Sequence, residues 1–279
     1  MTSRTVLFIF LVCTATACEL NNSPKKEKEM SYSYACLDST LSGSRLNKGL
    51  DKAGDLIRDL AVDESAITDQ VQNEYGAAFH QDAVQSGTFK LLKDGKIESD
   101  LKTVLSELLA AREQPSAIQY QIYALNDTAI NAFTFGGRIY VTQKMYEKCK
   151  DKTALLYSIV GHEIGHSEKG HIKRTIQEMI LSNRVFGERN GATVLQIKKL
   201  LTGSFNQKNE LEADYYGTDL SYKLDQDICA AVSFWKEMSQ QENQYSQLED
   251  FFRSHPFSNL RAQCLEAHIL TNFGKDCND

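Results

Sequence analysis

The sequence predicts an α+β domain, mainly helical, with a small, mostly antiparallel sheet directly before one central helix. Three observations point there. Apolar residues recur at helical spacing through most of the chain. Only between residues 119 and 141 does the period shorten to alternation. Directly after that window, Leu155, Leu156, Ile159 and Val160 lay an apolar stripe on a helix that also carries His162-Glu163-Ile164-Gly165-His166.

The chain has 279 residues, enough for one sizeable core. Its first segment is set apart from the fold. Arg4, the apolar run Val6 to Val12 and the small residues Thr14 to Ala17 have the layout of a secretory signal over residues 1–17. Ala15-Thr16-Ala17-Cys18 is similar to a bacterial lipobox, with Ala15 where Leu is usual, so a lipid on Cys18 is expected to hold the mature chain to a membrane. Glu19, rather than Asp, is similar to the outer-membrane sorting signal, which places the protein in the bacterial periplasm. Asn21 to Met30 is polar and charged and reads as a tether. On this division 18–37 are the lipidated N-terminus and tether, and 38–279 form a single domain with a helical annex at 38–66.

The formal net charge of −6 argues against nucleic acid as the partner. No later run reads as a membrane span, because Arg184, Glu188, Arg189, Lys198 and Lys199 interrupt the partly apolar stretch from Ile176 to Leu201. Besides Cys13 and Cys18 there are five cysteines, and an exported chain allows disulfides. Five is odd, so at least one has no partner within the chain. Cys264 with Cys277 and Cys264 with Cys229 are both admissible.

Leu41 to Leu60 reads as one or two amphipathic helices and Ile67 to Val84 as another. Glu98 to Arg112 is clearer, with Leu101, Val104, Leu105, Leu108 and Leu109 on one stripe, before Pro115. Gln119 to Leu125 alternates as a first strand, Ile130 to Phe133 starts a second, and Arg138 to Val141 follows the Gly136-Gly137 turn as a third. Asp151 or Thr153 is a candidate cap for the central helix. Asp227 to Gln241 and Leu260 to Leu270 close the chain as amphipathic helices, separated by the loop signal Arg253-Ser254-His255-Pro256.

His162 and His166 are four residues apart, so on a helix they share a face and can hold one Zn²⁺. Glu163, one step round, can reach a water beside that metal. Paired histidines on an apolar helix face also arise as buried, hydrogen-bonded residues, so the reading needs a third ligand. Glu210 supplies it: Glu210 and Asp214 share a helix face, while Glu212 points away, about 200° round. Glu210 completes a His₂Glu set, and Asp214 can accept the free ring N–H of a ligand histidine, which by analogy with other His₂Glu sites is expected to be His162. His171 lies about 140° beyond His166 on a continuous helix, a poor ligand that is read as supporting a ligand or purely structural.

Together these motifs resemble the M48 family of zinc metallopeptidases, which combines H-E-x-x-H with a downstream E-x-x-A-D, here Glu210-Leu211-Glu212-Ala213-Asp214. Asn131-Ala132-Phe133 with Gly136-Gly137-Arg138-Ile139-Tyr140-Val141, His171, and His255-Pro256 with Arg261 are also similar to it. The resemblance implies a gluzincin fold with one Zn²⁺ per chain, and looks closest to the periplasmic, outer-membrane-associated branch. It further implies endopeptidase activity on unfolded or misassembled envelope polypeptides. The chain departs from the family at Phe135, where Pro is common, and at Asn206-Gln207, where Ser-Arg is common.

On this reading Zn²⁺ on His162, His166 and Glu210 activates a water, and Glu163 serves as general base and then general acid. His255 or Arg261 assists at the oxyanion. His255 has a second possible role, as a latch on the open metal position. Asn131, Ala132, Phe133 and Gly137 mark the substrate-binding strand region. A rival reading is a latched, chaperone-like lipoprotein that holds clients with little cleavage.

Overall fold

The computed structural model describes residues 29–38, 66–186, 205–241, 255 and 259–278. The helices expected at 41–60 lie outside the described residues. From Asp69 onward the order is α1 (Asp69–Gln85), α2 (Gly95–Ala110), β1 (Gln121–Leu125), β2 (Ala132–Phe135), β3 (Arg138–Thr142), α3 (Gln143–Cys149), α4 (Thr153–Glu168), α5 (His171–Phe186), α6 (Gln207–Lys223), α7 (Cys229–Gln241) and α8 (Asn259–Phe273). The fold is α+β and mainly helical, as expected.

The sheet is mixed rather than mostly antiparallel. Its order is β1-β3-β2. β2 and β3 form the expected antiparallel hairpin, Ala132 opposite Val141 and Phe135 opposite Arg138. β1 pairs parallel to β3, Gln121 opposite Arg138 through Leu125 opposite Thr142. The third strand inserts between the first two, and local alternation does not encode that placement. β3 is therefore buried along its whole length, and β2 is left as an outer strand.

The two faces of the sheet serve two apolar clusters. Ile122, Ala124, Ala132, Ile139 and Val141 join the large core around α4. Tyr140, Phe135 and Leu125 join Phe79, Phe89, Ile172 and Ile176 on the other side. Tyr140 also pairs in register with Tyr123 and Phe133, so three rings line up across that face.

α4 is the buried axis of the molecule, with every residue from Leu155 to Ser167 buried. No side chain caps its start, contrary to the expectation for Asp151 or Thr153. Lys152 is the cap residue, and its carbonyl accepts from the Leu155 N–H at 2.9 Å. The two glycines of α4 let α6 approach. A Cβ on Gly161 would lie 2.9 Å from Gly217 Cα, and one on Gly165 would lie 2.9 Å from Ala213 Cα. Two backbones so close leave no room for side chains. The same contact brings Glu210 and Asp214 of α6 against His162 and His166 of α4.

Residues 31–38, which follow the polar stretch Asn21 to Met30 and which the domain division grouped with the tether as far as residue 37, run along α6 and α8. Tyr32 donates to Asp219 at 2.7 Å, Tyr215 donates to the Ser33 carbonyl at 2.7 Å, and Ser31 N–H donates to Asn272 at 2.8 Å. Cys36 is bonded to Cys264, and Cys229 to Cys277. Cys264 thus pairs with neither candidate considered from sequence, since its partner lies 228 residues away. Among the described residues Cys149 is unpaired, and it is buried. Among the described residues no helix is long and apolar enough to cross a membrane.

Candidate metal centre

His162, His166, Glu210 and His255 bring one ligand atom each within 4.8 Å of one another, and all four are buried. His162 Nε2 and His166 Nε2 are 2.9 Å apart. Glu210 Oε1 lies 3.3 Å from His166 Nε2, and Oε2 lies 3.5 Å from His162 Nε2. His255 Nδ1 is 3.2 Å from both His162 Nε2 and Glu210 Oε2.

The donor set fits a divalent cation. Two imidazole nitrogens face each other at hydrogen-bond distance, where at most one can carry a proton. Glu210 Oε1 is buried without a hydrogen-bond partner, as is Glu163 Oε2. Three buried carboxylates, Glu163, Glu210 and Asp214, share one buried guanidinium, Arg261, so negative charge is left over. Burial works against a charged His162, but its hydrogen bonds to Asp214 and Glu210 prevail and raise its pKa to about 9. Nitrogen and carboxylate donors converging in a buried site suit Zn²⁺.

The surroundings orient each ligand. His162 Nδ1–H donates to Asp214 Oδ1 at 2.9 Å, which leaves the Nε2 lone pair for the metal. Arg261 holds both carboxylates: Nε and one terminal nitrogen bond Asp214, and the other donates to Glu210 Oε2 at 2.8 Å. Its guanidinium lies 4.0 Å over the Trp235 ring. Burial alone would raise the Glu210 carboxyl, but Arg261 and the histidines hold it well below the usual carboxylate range. Arg261 thus commits three of its five N–H donors to Asp214 and Glu210, so the structure shows it positioning these two carboxylates.

Glu163 is buried beside the cluster and lies 3.4 Å from His255 Nε2. Burial raises its pKa, which suits a group that must accept a proton and return it. The same nitrogen of His255 faces the sheet, and Nε2–H donates to the Ala132 carbonyl at 3.0 Å.

That last bond shows which way β2 faces. The Asn131 carbonyl accepts from Thr142, so Asn131 and Phe133 point their backbone groups at β3. Ala132 and Thr134 point theirs to the outer edge, toward the centre. Gly137 sits at the turn, and its carbonyl accepts from Gln121 on the β1 side. Of the four residues expected to bind substrate, only Ala132 presents its backbone to that edge, and Thr134 joins it.

His171 meets His166, their Nδ1 atoms 3.0 Å apart, and its Nε2 lies 3.0 Å from Glu212 Oε2. Glu212 therefore does not point away from the centre. The expectation for His171 assumed one unbroken helix from His166. In fact α4 stops at Glu168, and Gly170, with φ +77°, starts a new helix whose first residue turns back. Phe205, stacked 4.2 Å from the His166 ring, and Trp235 are further neighbours that sequence periodicity did not single out as site residues.

A small sheet beside a buried HExxH helix, with a glutamate ligand from a second helix and a glutamate free to move a proton, defines a metal-dependent hydrolase centre of the His₂Glu type. The chain belongs to peptidase family M48, whose model matches residues 96–269, and is a zinc metalloendopeptidase. It is 29% identical over 187 residues to metalloprotease LoiP of Escherichia coli K12, covering 62% of this chain and 70% of that one. It is 24% identical over 242 residues to the beta-barrel assembly-enhancing protease of Yersinia pestis, covering 81% and 49%. To the mitochondrial metalloendopeptidase OMA1 of Arabidopsis thaliana it is 23% identical over 175 residues, covering 59% and 35%. The chain thus spans about half the length of the second relative and about a third of the last.

Proposed function

We propose that this protease cuts unfolded or misassembled cell-envelope polypeptides, which it takes up as extended strands along the outer edge of β2. The observation that carries the reading is the position of that edge. The outward carbonyl of Ala132 lies 3.0 Å from His255, a member of the ligand cluster, so a strand paired there runs past the centre. His162, His166 and Glu210 would hold the Zn²⁺, which would supply a Lewis acid for the scissile carbonyl and lower the pKa of a water. Ala132 and Thr134 hold the substrate backbone in register. Glu163 accepts the water proton on a carboxylate oxygen and delivers it to the leaving amine.

Envelope substrates and a periplasmic, outer-membrane location rest on several supports. They are the signal-like residues 1–17, the lipobox-like Cys18, two disulfides that suit an oxidising compartment, and relatives named for beta-barrel assembly. Mass spectrometry of the mature N-terminus checks the lipid: a diacylated or triacylated Cys18 is expected, and an unmodified N-terminus contradicts it.

A second reading is favoured by His255 itself. In the resting state its ring fills the fourth place in the ligand cluster and occupies the Ala132 carbonyl, so the protein can hold clients without cutting. The two readings part on two variants. His255→Ala should cleave casein faster than wild type if the ring is a latch. Glu163→Gln should keep zinc and client binding while losing cleavage. Rescue of an envelope defect by Glu163→Gln would favour the chaperone-like reading.

A further inference from the structure

The two ligand histidines each need a partner that keeps a proton on the ring nitrogen facing away from the metal. For His162 that partner is Asp214. For His166 the nearest group is another imidazole, which by itself settles nothing. Two neutral rings facing through Nδ1 at 3.0 Å can place the shared proton on either one. If His171 carries it, His166 Nδ1 is the acceptor, and His166 bears its proton on Nε2, where a metal must bind. If His166 carries it, Nε2 presents a lone pair to the metal. The second state requires His171 to have its own proton on Nε2. A carboxylate oxygen, Glu212 Oε2, lies 3.0 Å from that nitrogen and can only accept. We propose that Glu212 is a positioning residue that acts through His171 to hold His166 in its metal-binding tautomer.

The surrounding structure fixes each member of this relay. His171 is buried, and Gly170 swings it back over α4. Phe205 stacks on the His166 ring at 4.2 Å and 23°, which restricts its rotation. Glu212 stands on α6 between the ligand Glu210 and Asp214, and its side chain is 22% exposed, with Lys208 3.6 Å away. The exposure matters, because removing Glu212 leaves no charge stranded in the core. Its loss should appear in the metal site and not in the stability of the fold. The proposal rests on His166 being a zinc ligand, and the experiment separates the failure of that premise from the failure of the relay.

The test compares wild type, Glu212→Ala and Glu212→Gln. Zinc affinity is measured by chelator competition, unfolding of the metal-free proteins by thermal denaturation, and histidine tautomers by ¹⁵N NMR on zinc-loaded wild type. Glu212→Ala should weaken zinc binding by about 10–100-fold with the metal-free unfolding temperature unchanged. Glu212→Gln keeps a carbonyl oxygen for the same N–H and should recover most of the loss. The spectrum should show His166 protonated on Nδ1 and His171 on Nε2. The relay is overturned if Glu212→Ala binds zinc like wild type, if it lowers metal-free stability and affinity together, or if His171 carries its proton on Nδ1. Wild type that binds no zinc overturns the ligand premise itself, and the relay with it.

Discussion

His162 and His166 sit one helical turn apart on α4, yet the groups behind them differ. Behind His162 are Asp214, Arg261 and Trp235, all buried, with the guanidinium tied to two carboxylates and laid on the indole. Behind His166 are Phe205, His171 and the partly exposed Glu212. The His162 side is held by charges that cannot reach water, so it belongs to the fold as much as to the metal. The His166 side ends at the surface, so it can be altered without unfolding the chain. The consequence is that stability and metal affinity should separate when the two sides are mutated in turn.

Arg261→Ala is the largest expected blow to the first side. It strands the Glu210 and Asp214 carboxylates in the core and should cost about 3–5 kcal/mol of stability, read by chemical denaturation. If it unfolds like wild type, the buried charge network is not what holds α8 to the centre.

Next in size is the disulfide between Cys36 and Cys264, which pins the segment 31–38 to α8 close to Arg261. The double substitution Cys36→Ser with Cys264→Ser should cost about 2–4 kcal/mol, and denaturation with and without zinc shows whether the His162 side loosens with it.

Gly165→Ala sharpens the contrast from the helix between the two sides. The new methyl would meet Ala213 backbone atoms at 2.9 Å and should cost about 1–3 kcal/mol. A neutral result would mean that α4 and α6 separate more easily than their spacing implies.

The smallest effect belongs to Cys149, which lies outside both sides. Burial pushes its thiol up to about 12, so almost no thiolate exists at neutral pH. The folded protein should resist maleimide at this residue, and labelling should follow global unfolding.

Much of the centre was legible in the sequence because its logic is local. Four-residue spacing on helices places His162 with His166 and Glu210 with Asp214, and no tertiary information is needed to see it. What was not legible depends on how elements meet. The parallel pairing of β1 with β3 requires a strand to insert between two earlier ones. The Cys36 to Cys264 bond joins distant parts of the chain. Arg261 was visible as a motif residue, but its role emerged only from the carboxylates around it. Glu212 was set aside because it stands about 200° round its helix from Glu210, and its partner His171 was misplaced because the earlier helix was read straight through Gly170, although a glycine there is a recognised stop signal.

The most direct test of the whole account is zinc content together with casein cleavage, measured on wild type and Glu163→Gln. The account predicts one zinc in each, since Glu163 is not a ligand, and a loss of about 10²- to 10⁴-fold in cleavage by Glu163→Gln. Cleavage that persists at wild-type rate in Glu163→Gln, or wild type that binds no zinc, would contradict it.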